Sequence, residues 1–311
     1  MPLDPQVEVL LKELAAQGLP PIHQLPVAEA RARADSEPML ELGGERIAVG
    51  SVHDIEIPVD GSEIDARVYT PDGSGPHPVV VFFHGGGWVI CGLNTHDNLA
   101  RSICRDADAI VVSVAYRMAP EHRFPTAAHD CFEATRWVAD NAASFHGDAR
   151  RLAVCGDSAG GNLSAVISQM ARDAGGPALT FAALIYPVLD LTADGGSMVE
   201  FANGYFLERE AMEWYMNHYL SPGERSHPMA SPLLNPDLSG LPPCFIATCE
   251  YDVLRDQGEA YADALRADGV EVETKRYDGL IHAAANMTGV LDGGRALVAD
   301  IGDRLRTALH G

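Results

Sequence analysis

A serine set among glycines, Gly156-Asp157-Ser158-Ala159-Gly160-Gly161-Asn162, follows the apolar run Leu152-Ala153-Val154-Cys155 and leads into Leu163-Ser164-Ala165-Val166-Ile167. A serine where a strand turns sharply into a helix presents its hydroxyl as a nucleophile. Gly156 and Gly160 stand where side chains would collide across so tight a turn. A serine hydroxyl is a poor nucleophile at its own pKa, so an imidazole must take its proton, and a carboxylate must orient that imidazole and stabilise its charged form. Both partners follow in the chain. Asp252 comes after the apolar stretch Pro243–Cys249, in the turn Glu250-Tyr251-Asp252. His282 comes after Val270–Tyr277, in Asp278-Gly279-Leu280-Ile281-His282, and is the one of 12 histidines that directly follows the last strand. Asp252 could serve instead as a turn or helix-capping residue, but Asp256 suits the capping role better. Glu250 is the second candidate acid, two residues earlier, where it should still belong to the strand end.

Attack on a carbonyl also needs donors for the oxyanion, each contributing on the order of 3 kcal/mol. His84-Gly85-Gly86-Gly87-Trp88, straight after the strand Val79–Phe83, supplies them: the glycines Gly85, Gly86 and Gly87 let the backbone aim its N–H groups at one point. The N–H of Ala159, next to the nucleophile, is the third donor. A phosphate-cradling loop is disfavoured, because the Lys-Ser/Thr ending of such loops is missing. His84 lies outside the order Ser, acid, His and is read as holding the glycine loop in place.

These groups need a scaffold that brings strand ends together. Val52–Val59 and Ile64–Tyr69 read as a hairpin across Asp60-Gly61. From Val79 onward, continuous apolar strands (79–83, 110–115, 152–155, 181–186, 244–249, 270–277) alternate with helices (98–106, 127–143, after Ser158, 256–267, 294–309), which predicts a parallel sheet covered on both faces. Helices at 7–18 and 27–35 precede the sheet. The strand pattern lapses between Asp190 and Pro236, around a helix at 208–219. We therefore expect a helical cap from residues 1–45 and 190–235 over a catalytic core of 46–189 and 236–311.

The 311 residues carry 22 basic and 44 acidic side chains, a formal charge of −22. That charge repels nucleic acid and anionic membrane surfaces, so neither is expected as a partner. With 47% hydrophobic and 21% charged residues, the composition is that of an ordinary globular chain. No apolar leader or membrane-length run is visible, and the six cysteines form no C-x-x-C pair, which leads us to expect a cytoplasmic protein with reduced thiols. Neither metal nor cofactor is expected, and a homodimer is an open expectation.

With both glycine motifs in view, the chain resembles the bacterial hormone-sensitive lipase family (family IV) of esterases in the α/β-hydrolase superfamily. Two further blocks carry the resemblance: Val114-Ala115-Tyr116-Arg117-Met118-Ala119-Pro120-Glu121-His122-Arg123-Phe124-Pro125 and Tyr251-Asp252-Val253-Leu254-Arg255-Asp256. The resemblance implies an α/β-hydrolase fold with a mostly parallel sheet of about eight strands. It also implies Ser158 as nucleophile, Asp252 as acid and His282 as base, with Gly86, Gly87 and Ala159 as oxyanion donors and Gly85 shaping the loop. The activity implied is that of a carboxylesterase on short- to medium-chain esters. Amide or lactone cleavage at the same site is the alternative, and a non-catalytic binding protein is disfavoured because all three residues of the triad are present. The family usually places Gly and an aromatic after the histidine. Here Ala283-Ala284-Ala285 follow, which predicts a roomier site. Trp88, Asp157, Tyr186, Phe206 and Trp214 are the candidate pocket residues.

Overall fold

The computed structural model describes residues 2–311. Eight strands form one sheet: β1 (Ser51–Val59), β2 (Ser62–Thr70), β3 (His77–Phe83), β4 (Ile110–Val114), β5 (Gly147–Asp157), β6 (Phe181–Ile185), β7 (Cys244–Tyr251) and β8 (Val272–Ile281). Their order is β1-β2-β4-β3-β5-β6-β7-β8. The β1–β2 hairpin turns over Asp60-Gly61, and β2 pairs with β4 antiparallel; every pairing from β4 to β8 is parallel. Parallel pairing needs a crossover between strands, and helices supply it on both sides.

Alternation along β3 divides the core. Val79, Val81 and Phe83 enter the cluster shared with α5 (Thr126–Asn141), α6 (Ala159–Ala174) and α9 (Arg255–Ala267), counting helices in chain order. Val80 and Phe82 enter the opposite cluster, with α4 (Asp97–Ala107) and α10 (Asp292–His310). Both faces of the central strands are thereby sealed, which is why they read as unbroken apolar runs. Full burial of one such large apolar side chain contributes about 1.5–3 kcal/mol.

The preceding helices are α1 (Pro5–Ala16), α2 (Val27–Ala34) and α3 (Glu37–Glu41); the long insertion carries α7 (Ser197–Glu200) and α8 (Arg209–Tyr219). The N-terminal segment divides between two places. In α1, Val7 and Leu10 join the α4/α10 side of the core, and the Asp4 N–H just before it donates to Gly279 O of β8 at 3.1 Å. A short 3-10 turn, Ile22–Gln24, and α2 instead meet the insertion: His23 Nε2 lies 3.0 Å from Glu210 Oε2 on α8. Arg31 of α2 donates to Val89 O and Ala119 O, both at 2.8 Å, which ties it to the glycine loop's flank.

Several elements differ from the sequence expectation. Strand β5 begins at Gly147 rather than Leu152: Gly147 pairs with His77 and, after a register break, Leu152 pairs with Val79, and the polar residues between them carry no apolar signal. Strand β8 spans Val272–Ile281 and so runs past Tyr277. The short helices α3 and α7 each lack a full apolar period and were invisible to periodicity.

Candidate active site

Ser158, Asp252, His282 and the glycine loop that begins at His84 each follow the carboxyl end of a strand. Ser158 follows β5 with φ 55° and ψ −115°, a left-handed conformation strained for a non-glycine residue. Its backbone is pinned: Ser158 N–H donates to Ile185 O at 2.8 Å, and Ser158 O accepts from Asn162 N–H at 3.0 Å. The flanking glycines are a matter of space. A Cβ on Gly156 would lie 2.3 Å from Gly160 O, and one on Gly160 would lie 1.8 Å from Phe83 O, so neither position admits a side chain.

His282 Nδ1 lies 2.7 Å from Asp252 Oδ2, and His282 Nε2 lies 2.9 Å from Ser158 Oγ. A carboxylate only accepts, so Nδ1 carries the proton and Nε2 is left as the acceptor for the serine hydroxyl. Asp252 is held on its other oxygen, where Oδ1 accepts from Leu254 N–H at 2.9 Å. All three side chains are buried. Glu250, the second candidate acid, points elsewhere and accepts from Gly279 N–H at 2.7 Å.

In the glycine loop, the N–H groups of Gly86, Gly87 and Ala159 have no acceptor among the described residues. Gly85 differs from the expectation: its N–H donates to Asp157 Oδ1 at 2.9 Å and is spent there. Gly86 and Gly87 take φ of 107° and 59°, which suits glycine. Tyr215 of α8 lies directly over the loop, since a Cβ on Gly87 would come within 2.3 Å of its ring. His84 holds the loop from beneath. Its Nδ1 donates to Gly85 O at 2.7 Å, its ring stacks on Tyr116 at 4.4 Å, and Tyr116 Oη donates to His84 O at 2.8 Å. Burial pushes the His84 imidazole down to about 4, so it is neutral.

The candidate pocket residues separate. The Tyr186 ring packs 4.7 Å from the His282 ring. Trp88 is sealed in the core, stacked on Tyr219 at 4.3 Å, and presents no face to a cleft. Phe206 lies on the surface, and Trp214 packs against Tyr215 and His218. Asp157 is also buried, with its carboxylate turned to Gly85 N–H and His96 rather than to a pocket. Ala284 and Ala285 are buried in the α10 side of the core, and Ala285 borders a cavity of about 180 Å³ that also touches Leu40, Thr95, Asn98 and Asn286.

Ala283 adopts φ 66° and ψ 10°, left-handed, at the position where glycine is the family's usual residue. Relief of that strain exceeds the extra chain entropy glycine brings, so Ala283→Gly is expected to stabilise the fold by about 0.5–1 kcal/mol. A rise in the urea midpoint with unchanged slope is the readout; a lower midpoint would refute it.

Sequence reading missed His96, Asn286, Tyr116 and Tyr215. Each acts through a contact with a residue tens of positions away, and no local spacing announces it.

A strand-end serine bonded to a histidine–aspartate pair, beside unpaired backbone donors, defines a serine hydrolase site on a doubly covered parallel sheet. A sequence profile of the alpha/beta hydrolase fold matches residues 80–286. The chain belongs to the α/β-hydrolase family, in its hormone-sensitive lipase branch. It is 41% identical to the carboxylic ester hydrolase LipN of Mycobacterium tuberculosis, over 99% of this chain and 83% of LipN. It is 42% identical to carboxylesterase NlhH of the same organism, over 99% and 97% of the two chains. The solved structure of a hyperthermophilic esterase from Pyrobaculum calidifontis superposes with a TM-score of 0.94 at 40% identity, covering 99% of each chain.

Proposed function

We propose that the chain is a carboxylesterase that hydrolyses short- to medium-chain esters through an acyl-enzyme on Ser158. The observation that carries this reading is the continuous line from Ser158 Oγ through the His282 ring to Asp252, with Nε2 left as acceptor. His282 Nε2 takes the hydroxyl proton as Oγ attacks the ester carbonyl, and the oxyanion is met by the N–H groups of Gly86, Gly87 and Ala159. The imidazolium then returns its proton to the departing alkoxide, releasing alcohol and leaving the acyl group on Ser158. Water, deprotonated by the same imidazole, attacks the acyl carbonyl; the acid leaves and Ser158 regains its proton. The ester-hydrolase names of the relatives agree with the chemistry.

The insertion with α8, joined by residues 22–34, acts as the cap, and Tyr215 forms its contact with the glycine loop. A closed cover favours small acyl groups over long chains at an interface. A cytoplasmic location fits six cysteines that are all free thiols.

The test is turnover of p-nitrophenyl esters graded from acetate to palmitate, with stoichiometric labelling of Ser158 by an organophosphonate. Activity greatest from C2 to C8 is expected. Comparable turnover of emulsified long-chain triglyceride would overturn the chain-length reading, and labelling at another residue would overturn the nucleophile.

A further inference from the structure

Beside the Ser158 line the structure contains a second histidine–carboxylate pair, which no step above uses. His96 and Asp157 are 4% and 2% exposed and come from different segments, the turn before α4 and the end of β5. His96 Nε2 lies 3.1 Å from Asp157 Oδ1 and 3.3 Å from Oδ2. The other donors to this carboxylate are neutral: Gly85 N–H to Oδ1 at 2.9 Å and Asn286 Nδ2 to Oδ2 at 3.0 Å. Burial would raise the Asp157 carboxyl, but the His96 ring and the Gly85 N–H outweigh it and hold it below the usual carboxylate range.

The His96 ring is held at both nitrogens. Nε2 faces the two oxygens of the carboxylate, which can only accept, and donates to them. Nδ1 lies 2.8 Å from Thr95 Oγ1, which is itself bonded to both Gly92 N–H and Gly92 O at 2.9 Å. The Gly85 N–H also passes 3.3 Å from Nε2, but its shorter contact is with Asp157. Among the described residues no lysine or arginine contacts Asp157, so His96, Gly85 and Asn286 are what hold this buried carboxylate.

Three strand-end segments meet on this one carboxylate: the oxyanion loop through Gly85, the nucleophile turn through Asp157 itself, and the segment after His282 through Asn286. We propose that the buried, hydrogen-bonded His96–Asp157 pair is a positioning device that fixes the oxyanion loop in register with Ser158. Asp157 is covalently next to Ser158, so the carboxylate that grips Gly85 moves with the nucleophile. A loop displaced by about 1 Å costs on the order of 100-fold in rate, and the donors at Gly86 and Gly87 directly follow the gripped residue. His96 and Asp157 touch no reacting atom and act through the loop.

This inference rests on the esterase reading for its kinetic arm, and its structural arm is independent of it. In the full-length enzyme, His96→Ala is expected to lower kcat for p-nitrophenyl butyrate about 100-fold with KM within about twofold, and to weaken a trifluoromethyl ketone inhibitor in parallel. His96→Gln, which keeps a neutral donor, should recover part of that loss. Amide hydrogen exchange in the peptide spanning residues 84–88 should accelerate in the variants while α10 stays protected. Thr95→Val, which removes the hydroxyl beside Nδ1 together with its two bonds to Gly92, serves should His96→Ala not fold, with an expected loss of about 10-fold. Unchanged exchange at 84–88 in a folded variant, or a loss carried by KM alone, would overturn the positioning role. Wild-type protein without esterase activity would overturn the esterase reading instead, and the exchange result would still decide the role of the pair.

Discussion

Ser158→Ala is expected to lower kcat toward a short-chain chromogenic ester by about 10⁴-fold or more while leaving the protein folded. In the proposed mechanism Oγ forms the acyl bond, and its hydrogen-bond partner is His282 Nε2. Removing it deletes the nucleophile and leaves the histidine–aspartate pair intact. The turn survives because backbone contacts hold it, from Ser158 N–H to Ile185 O and from Asn162 N–H to Ser158 O. Circular dichroism and a thermal scan should therefore match wild type, with residual rate arising from the oxyanion donors alone. Activity within tenfold of wild type would place the nucleophile elsewhere.

Asp252→Asn is expected to cost about 10³–10⁴ in kcat, whereas Glu250→Gln should cost less than about threefold. The reason is the direction of hydrogen bonds. Asp252 Oδ1 accepts from Leu254 N–H, so an asparagine must keep its carbonyl oxygen there. Its NH2 group would then face His282 Nδ1, now 2.7 Å from a carboxylate oxygen. Two donors cannot meet, so Nδ1 must give up its proton and Nε2 must take one, which leaves no acceptor for the serine hydroxyl. Glutamine at 250 keeps a carbonyl for Gly279 N–H, and no bond in the Ser158 line changes. Kinetics of the two variants side by side decide the acid; the reverse ranking would move the role to Glu250.

The parts of this site that were legible in the sequence are those whose chemistry is local. Glycines around Ser158 and after His84 are demanded by contacts a few residues wide, and strand ends placed Asp252 and His282 in order. What escaped was set by three-dimensional neighbours. The Gly85 N–H looked like an oxyanion donor, yet a carboxylate 72 positions away takes it. Trp88 looked like a pocket wall because an aromatic beside a glycine loop gives no sign of which way it faces, and Tyr219 draws it inward. Helix α1 showed an amphipathic stripe but not its destination, so it read as cap while Val7 and Leu10 pack on the far side of the sheet. Periodicity reports that a face is apolar and is silent about what will cover it.

Tyr215 rides on the insertion, yet its ring rests against Gly87, where even a methyl group would find no room. The segment we propose as the cap thus also braces the glycine loop. Transplanting the insertion from a relative would retune turnover together with substrate choice, and an insertion that lifted away would loosen the donors as it opened the door.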